Sequence, residues 1–443
     1  MSESRVTPSH RSAGATILEE LGVAPDPANP FHATLGRILD AAELVGLPRH
    51  QRLILAQPES ETMVHFPVLM DDGNHRLFKG YRIRHNHALG PFLGGIRFHP
   101  RISLDETKAL ATLATMTASL ARLGFGGAMG GVRCSPAELS EGELMRVTRR
   151  FTVAIAPQLG PERDVVAPEI GTDPQVMAWM ADTLEQAGPA ADRSDLKRAV
   201  TGKPVEIGGT YGRVGAEGTG LAEAAVEMLP EFGLLAAGAS VAIAGFGSVG
   251  AWAARRFHEH GLRIVAVLDA TGGLANPDGL DPFALAEHIA RTGSIEGFGR
   301  ADAISAVDFW PLPVDLLTCS MGDGALDEET AARIGARVVL EGTRLPIPAG
   351  AEETLAARGI DLLPSTLCRA GGAVASALEW TQNRLGVTWT GEQVDAELRR
   401  AMQLAARRVK LARIRYECDW RTAAHGAALA RIGRVYDLRG VFP

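Results

Sequence analysis

Apolar and polar positions change period several times along the chain, and each change predicts an element. Over 31–45 apolar residues recur at helical spacing. They follow residues 1–30, rich in Ser, Pro and small side chains and closing on Pro25-Asp26-Pro27, which read as a polar tail. Over 62–84 the period shortens to two. Segments 63–70 and 77–83 alternate on either side of Asp71-Asp72-Gly73-Asn74, the pattern of a strand hairpin. Helical spacing returns over 104–123 and again over 140–156, where Ser140 and Glu143 have the separation of a capping box. Between these helices, five glycines within 124–131 read as a loop whose backbone can approach a ligand or another chain. Segments 393–416 and 421–432 are helical and arginine-rich, and Arg407-Arg408 reads there as solvated or subunit-facing surface without chemistry.

The clearest pattern lies over 238–270. An apolar strand, 241–244, runs into Gly245-Phe246-Gly247-Ser248-Val249-Gly250, then a helix to about His260, then a strand, 264–268, ending at Asp269. Such glycines permit a tight turn, close approach to a pyrophosphate and helix packing. The helix start, with Gly247, Ser248 and Val249, offers amide hydrogens and a positive dipole to phosphate. Asp269 stands 19 residues past Gly250, where a carboxylate can accept hydrogen bonds from a ribose diol. It favours NAD over NADP, because a 2′-phosphate would meet like charge. The unit predicts dinucleotide binding.

A length of 443 residues suits two domains, and 46% apolar with 22% charged residues can fill large cores. A net charge of −7 gives no footprint for nucleic acid. No apolar run is long enough for a bilayer or a signal peptide, so a cytoplasmic, membrane-free protein is expected. Cys134, Cys319, Cys368 and Cys418 show no metal-ligand spacing and read as reduced core residues. Lysine is scarce: five lysines stand beside 40 arginines.

Several motifs follow one another in a recognisable order: Gly90-Pro91-Phe92-Leu93-Gly94-Gly95-Ile96-Arg97-Phe98-His99-Pro100, the glycine run up to Arg133, and Ala167-Pro168-Glu169-Ile170-Gly171-Thr172. Thr201-Gly202-Lys203-Pro204, the nucleotide unit, and Ala370-Gly371-Gly372 with Glu379-Trp380 come after them. From about Phe31 onward the chain resembles the glutamate/leucine/phenylalanine/valine dehydrogenases, and among them most nearly those acting on glutamate. The resemblance implies an α/β fold with an N-terminal α/β substrate and oligomerisation domain (31–200 with 373–443). A Rossmann-like, doubly wound nucleotide domain (201–372) would follow, with C-terminal helices returning to the first domain. It also implies a hexamer, a cleft between the domains, and hydride transfer from an amino acid's α-carbon to NAD or NADP, leaving an imine that hydrolyses to a 2-oxo acid and ammonia.

At the positions that run this chemistry, the chain departs from the family pattern. The family's lysine for a side-chain carboxylate falls on Leu93, its lysine for the α-carboxylate on Thr117, and its catalytic lysine on Met129. The catalytic aspartate falls on Glu169. Asparagines near the nicotinamide fall on Arg369 and Arg344, and a threonine on Glu217; Ser376 matches a substrate-contacting serine. Drift toward arginine does not explain this, since leucine, threonine and methionine carry no charge at any pH. Losing a buried partner for a carboxylate costs roughly 2–5 kcal/mol, and losing an acid/base group about 10²–10⁴ in rate.

The expectation is therefore a catalytically silent member of the family, a regulatory subunit joined in a hetero-oligomer, a hexamer, to a catalytic paralogue and open to an amino-acid or nucleotide effector. Two alternatives stand beside it. One is an active NAD-dependent amino-acid dehydrogenase with a rebuilt site, using Glu169 as base and Arg344 or Arg369 as anchor, with Leu93 favouring an apolar substrate. The other is a homo-oligomeric sensor of an amino acid or nucleotide. Arg344 and Arg369 are expected either to neutralise Glu169 or Glu217 across the cleft or to project into the nicotinamide's place.

Overall fold

Alternating and wholly apolar strands sort into two sheets, one in each half of the chain, in a computed structural model that describes residues 13–187, 193–322 and 324–441. The first comprises β1 (Ser60–Leu69), β2 (His75–Asn86), β3 (Phe92–Phe98), β4 (Gly126–Val132) and β5 (Asp164–Pro168), ordered β1-β2-β4-β3-β5. The hairpin forms as the alternation predicts, Leu69 pairing with His75 across the turn, and its second arm runs on to Asn86. The capping box at Ser140 is present, each of Ser140 and Glu143 bonding the other's backbone amide at the start of the helix Glu141–Ile155.

The second sheet holds β6 (Ser240–Ala244), β7 (Arg263–Leu268), β8 (Gly273–Ala275), β9 (Asp302–Ile304), β10 (Leu316–Cys319), β11 (Val338–Glu341) and β12 (Asp361–Leu363). Its order is β12-β11-β10-β6-β7-β8-β9. The strands from β12 to β7 are parallel, and β8 and β9 close the edge antiparallel. Parallel strands are covered on both faces, which is why Val-Ala-Ile-Ala and Leu-Leu-Thr-Cys read as unbroken apolar runs. The architecture is an α/β substrate domain beside a Rossmann-like nucleotide domain.

Two expectations need correction. The glycine run is not a loop: from Gly126 it is β4, a fully buried strand between β2 and β3. Helix Leu104–Leu120 lies so close that a Cβ on Gly127 would sit 2.1 Å from the Thr115 nitrogen, so glycine is required by helix–strand approach rather than by flexibility. Nor is all of 1–30 a tail. Ala13–Glu20 is a helix that buries Ile17 and Leu18 against Phe31, Leu35 and Leu39, an apolar pair too short to show a period. Residues 1–12 lie outside the described ones.

The C-terminal helices straddle the two halves. Gly391–Tyr416 packs on Ala216–Met228 of the nucleotide domain, whereas Trp420–Arg439 returns to Pro30–Leu44 and Leu104–Leu120. One core runs continuously through Ile38, Met116, Leu221, Met402 and Ala424. The return is fixed by Arg421, whose Nη1 and Nη2 each lie 3.0 Å from the buried Glu341 at the end of β11, with Nε 2.8 Å from Glu352. Cys134, Cys319 and Cys368 are buried, Cys418 is half-buried, and none of the four forms a disulfide among the described residues. Among the described residues no helix is long and apolar enough to cross a membrane.

Two buried histidines join separate elements. His85 of β2 bonds Thr115 Oγ1 at 2.8 Å and the Leu55 carbonyl at 3.0 Å, and His425 meets Thr366 Oγ1 at 3.3 Å. Burial pushes His85 down from 6.5 to about 4; burial, then Arg421 and Arg37, push His425 down to about 3. Both stay neutral in the fold while the unfolded chain takes up protons below pH 6.5. Stability is therefore expected to fall as pH drops from 6.5 toward 4, at up to about 1.4 kcal/mol per pH unit for each histidine. Urea midpoints measured across that range check this, and His85→Asn should remove its share of the slope.

Candidate functional site

Side chains from both halves converge on one cavity of about 60 Å³. β3 contributes Leu93, β5 Ala167 and Pro168, and helix Leu104–Leu120 Leu110, Leu113 and Thr117. The opposite wall carries Arg213, Glu217, Arg344, Arg369 and Ser376. The cavity shares Pro168, Arg213, Glu217, Arg344 and Arg369 with a wider cleft of about 670 Å³ that runs past Thr210 and Trp252 to Gly247, Ser248 and Val249. Of the sequence-predicted positions, Leu93, Thr117, Glu169, Glu217, Gly247, Ser248, Val249, Arg344, Arg369 and Ser376 line this groove, whereas Met129, Gly245, Gly250 and Asp269 do not.

Three neutral side chains stand where a cation was looked for. Leu93 is 4% exposed and packs with Ala118, Phe125 and Trp380. Thr117 lines the cavity wall. Met129, in β4, is buried with Ile83, Leu110 and Ala111, so its thioether fills apolar space. None of the five lysines lines the cavity. Lys203 in the Thr-Gly-Lys-Pro segment is buried with its ammonium committed to Glu379, 2.8 Å away, and to the Val200 carbonyl.

Charge is present instead as alternating guanidinium and carboxylate groups. Arg97 donates from Nε and Nη2 to Glu169 at 2.6 and 3.0 Å, and from Nη1 to Glu106 at 2.6 Å. Arg344 lies 2.8 Å from Glu169 by Nε and reaches Glu217 by Nη2; Arg369 bonds the other Glu217 oxygen and the Gly342 carbonyl. Glu106, Arg97 and Glu169 belong to the first half, and Glu217, Arg344 and Arg369 to the nucleotide half, so the ladder bridges the cleft. Burial alone would raise the Glu169 carboxyl, but Arg97, Arg344 and Arg369 outweigh it and hold it down at about 2. Burial likewise opposes ionisation of Glu217, and Arg344, Arg369 and Arg213 overcome it.

Arg213 was not singled out in the sequence, because one arginine among 40 without a motif carries no signal. Only its place four residues before Glu217 hints at the site. In the fold it is 8% exposed, its Nε donates to Ser376 Oγ at 3.1 Å, and it lines both cavities. No carboxylate lies within ion-pairing distance of it among the described residues, and burial lowers its pKa against the pull of Glu217 and Glu379. A buried guanidinium facing open space with donors to spare is a receptor for an anion.

At the other end the cleft fits a diphosphate. Helix Ser248–Glu259 begins at Gly247 without a side-chain cap, leaving its first amides for a ligand. Gly250 must be glycine, since a Cβ there would fall 2.0 Å from the Gly245 carbonyl oxygen. Gly245 closes β6 and turns the chain into the helix. Asp269 follows β7; its Oδ1 accepts from Thr271 N at 2.7 Å and Gly272 N at 3.2 Å. The buried Thr210 hydroxyl lines the cleft with no protein partner, a polar atom available to a bound group.

Comparison with known proteins agrees with this geometry. The family model described as Glutamate/Leucine/Phenylalanine/Valine dehydrogenase matches residues 208–440, and that of the Glu/Leu/Phe/Val dehydrogenase dimerisation domain matches 58–186. The chain belongs to this family. It is 38% identical over 404 residues to a glutamate dehydrogenase of Thermotoga maritima, which covers 91% of this chain and 96% of that protein. Identity is also 38%, over 421 residues, to glutamate dehydrogenase A2 of Halobacterium salinarum, covering 94% and 99%. Among solved structures, a hetero-hexameric glutamate dehydrogenase from Thermus thermophilus in its Leu-bound form is 33% identical with a TM-score of 0.87, covering 95% and 99%.

Within the glutamate/leucine/phenylalanine/valine dehydrogenase fold, then, the cleft of this chain is crossed by a closed ion-pair ladder. A double-mutant cycle on Arg344→Met and Glu169→Gln measures its central rung. Each single substitution should destabilise by about 1–3 kcal/mol, and the pair by clearly less than their sum, because the double variant leaves fewer buried charges without partners.

Proposed function

We propose that this chain is a catalytically silent glutamate dehydrogenase homologue that assembles with an active paralogue in a hexamer and regulates it. The observation that carries the reading is the absence of any ammonium along the cavity that Leu93, Thr117, Ser376 and Arg213 line. Deamination needs a cation that activates water and polarises the imine, and an anchored α-carboxylate; Arg213 can anchor, but a guanidinium does not exchange its proton near neutral pH. The rebuilt-enzyme reading needs Glu169 as a base. A carboxylate held at about 2 by three arginines is a poor one, and Arg344 and Arg369 are engaged by Glu169 and Glu217 rather than by a substrate.

What remains is a binding site. A carboxylate on Arg213 would place an apolar side chain toward Leu93, Leu110 and Leu113, where a second carboxylate would find no partner. The Thermus relative, hetero-hexameric and solved with leucine bound, supports both the mixed assembly and an apolar amino-acid effector. We assign residues 31–200 with 373–443 to the substrate and oligomerisation domain and 201–372 to the nucleotide domain. The segment Gly245 to Gly250 and Asp269 would hold the dinucleotide, NAD rather than NADP. That group accepts a hydride in the active relatives; here its role is to occupy and order the cleft.

The purified chain, given glutamate or apolar amino acids with NAD or NADP, is expected to show no rise in reduced-nicotinamide absorbance. Co-expression with a catalytic paralogue should yield mixed hexamers by native mass measurement, with a changed rate per active subunit. Turnover by the pure chain would overturn the proposal, and homo-oligomers alone would favour the sensor reading.

A further inference from the structure

Three arginines meet away from the cleft, where helix Leu104–Leu120 ends and the two C-terminal helices cross it. Arg122 follows that helix, Arg408 lies on Gly391–Tyr416 and Arg431 on Trp420–Arg439. Arg408 Nη1 donates to the Leu120 carbonyl at 3.0 Å and Arg431 Nη1 to the Ser119 carbonyl at 3.2 Å, which brings both side chains to the same helix end as Arg122. None of the three forms a salt bridge with a carboxylate among the described residues, although the chain as a whole carries seven more acids than bases. None lines either cavity of the cleft.

Capping of the helix accounts for Arg408, which reaches the Leu120 carbonyl that no backbone amide bonds, but not for Arg431 or Arg122. The carbonyls that Arg431 meets are already bonded by backbone, Arg122 N donating to Ser119 O at 3.0 Å and Leu123 N to Ala118 O at 2.9 Å. That closure puts residue 122 in the left-handed region, at φ 60°, the position where helices most often place glycine. An arginine there costs about 1 kcal/mol relative to glycine. The chain thus accepts backbone strain at the one residue that adds a third positive charge to the group. Burial, then Arg122 and Arg408, push the Arg431 guanidinium down to about 10, and burial, then Arg122 and Arg400, lower Arg408; no acid pulls either one back.

We propose that Arg122, Arg408 and Arg431 form an anion site for a polyphosphate group, separate from the dinucleotide cleft. Guanidiniums with N–H groups to spare are suited to phosphate oxygens, which accept several charge-assisted hydrogen bonds at once. The site begins two residues after the helix that carries Thr117, so a bound anion would brace the same helix that walls the amino-acid cavity.

Calorimetric titration of the full chain with inorganic tripolyphosphate and, separately, with ATP tests this. Binding of both at low salt, weakening as salt rises, supports a site that reads phosphate; preference for ATP identifies a nucleotide as the source. Arg122→Gly should weaken binding about tenfold while leaving the melting temperature unchanged or higher, since it relieves the strained φ. Arg431→Gln should weaken it similarly, and Arg407→Gln, one residue from Arg408 but paired with Glu227, should not. No binding by the unaltered chain, or equal affinity in Arg122→Gly, overturns the proposal. So does a change of oligomeric state in Arg122→Gly without loss of phosphate affinity, which would make the cluster a contact for acidic side chains of a neighbouring subunit.

Discussion

The alternation of Arg97, Glu169, Arg344, Glu217 and Arg369 across the cleft is the constraint from which the character of this protein follows. Glu169 there is buried and Glu217 half-buried, and burial opposes the ionisation of both while the guanidiniums on either side favour it. Each member of the ladder makes sense only with the others. Glu217 alone would bring an uncompensated negative charge against Glu169; Arg344 alone would bring a positive charge beside Arg213 and Arg369. Introduced together they close on one another, leaving Glu106 and the Gly342 carbonyl to finish the two ends. A catalytic cleft needs charges left open for a substrate. In this one the charges are spent on each other, and Arg213 is the cation left facing the cavity.

The same ladder is mechanically continuous with the interdomain packing. Arg344 sits on a short segment after β11 whose next residue, Leu345, packs against the cluster of Met129, Leu110 and Ile83 in the first domain. Two residues later the Ile347 carbonyl accepts both terminal nitrogens of Arg37, on helix Pro30–Leu44, at 3.2 Å. The Ile347 amide is bonded to Glu341, the residue that fixes Arg421 and the returning C-terminal helix. Electrostatic closure of the cleft, apolar contact between domains and the C-terminal return therefore converge on about five residues of backbone.

Much of the fold was legible because its signals are local. The hairpin around Asp71-Asp72-Gly73-Asn74, the Ser140–Glu143 capping box and the glycine turn from β6 to the helix at Ser248 each need only neighbours in sequence to form. β4 was not legible, since its glycines answer to groups that pack across it, Gly127 to the helix at Thr115 and Gly126 and Gly131 to the carbonyls of Asn86 and Arg97, and not to any neighbour along the strand. In the site, the neutral side chains of Leu93, Thr117 and Met129 stand at positions that the motifs single out. The fate of Arg344 and Arg369 was stated only as two options, because a guanidinium's partner is a matter of tertiary distance. Arg213 was missed for the same reason: its meaning lies in a missing carboxylate and an adjacent cavity, and neither leaves a trace in the order of residues.

The neutral positions of the cleft also carry the packing between its walls. Met129 and Leu93 are not idle lining; they belong to apolar clusters that hold β4 and β3 against helix Leu104–Leu120 and against Trp380 of the helix Ala370–Leu385. An ammonium at either position would have to be buried without a partner, a penalty of several kcal/mol that no single substitution could offset. On the proposal of a silent subunit, each neutral side chain there raises the cost of placing a lysine at the next. Selection can then act only on what the scaffold still offers: a diphosphate-fitted helix start, one unpaired guanidinium over a small apolar cavity, and the family's oligomerisation domain. Those are the parts that the proposed regulatory role would use.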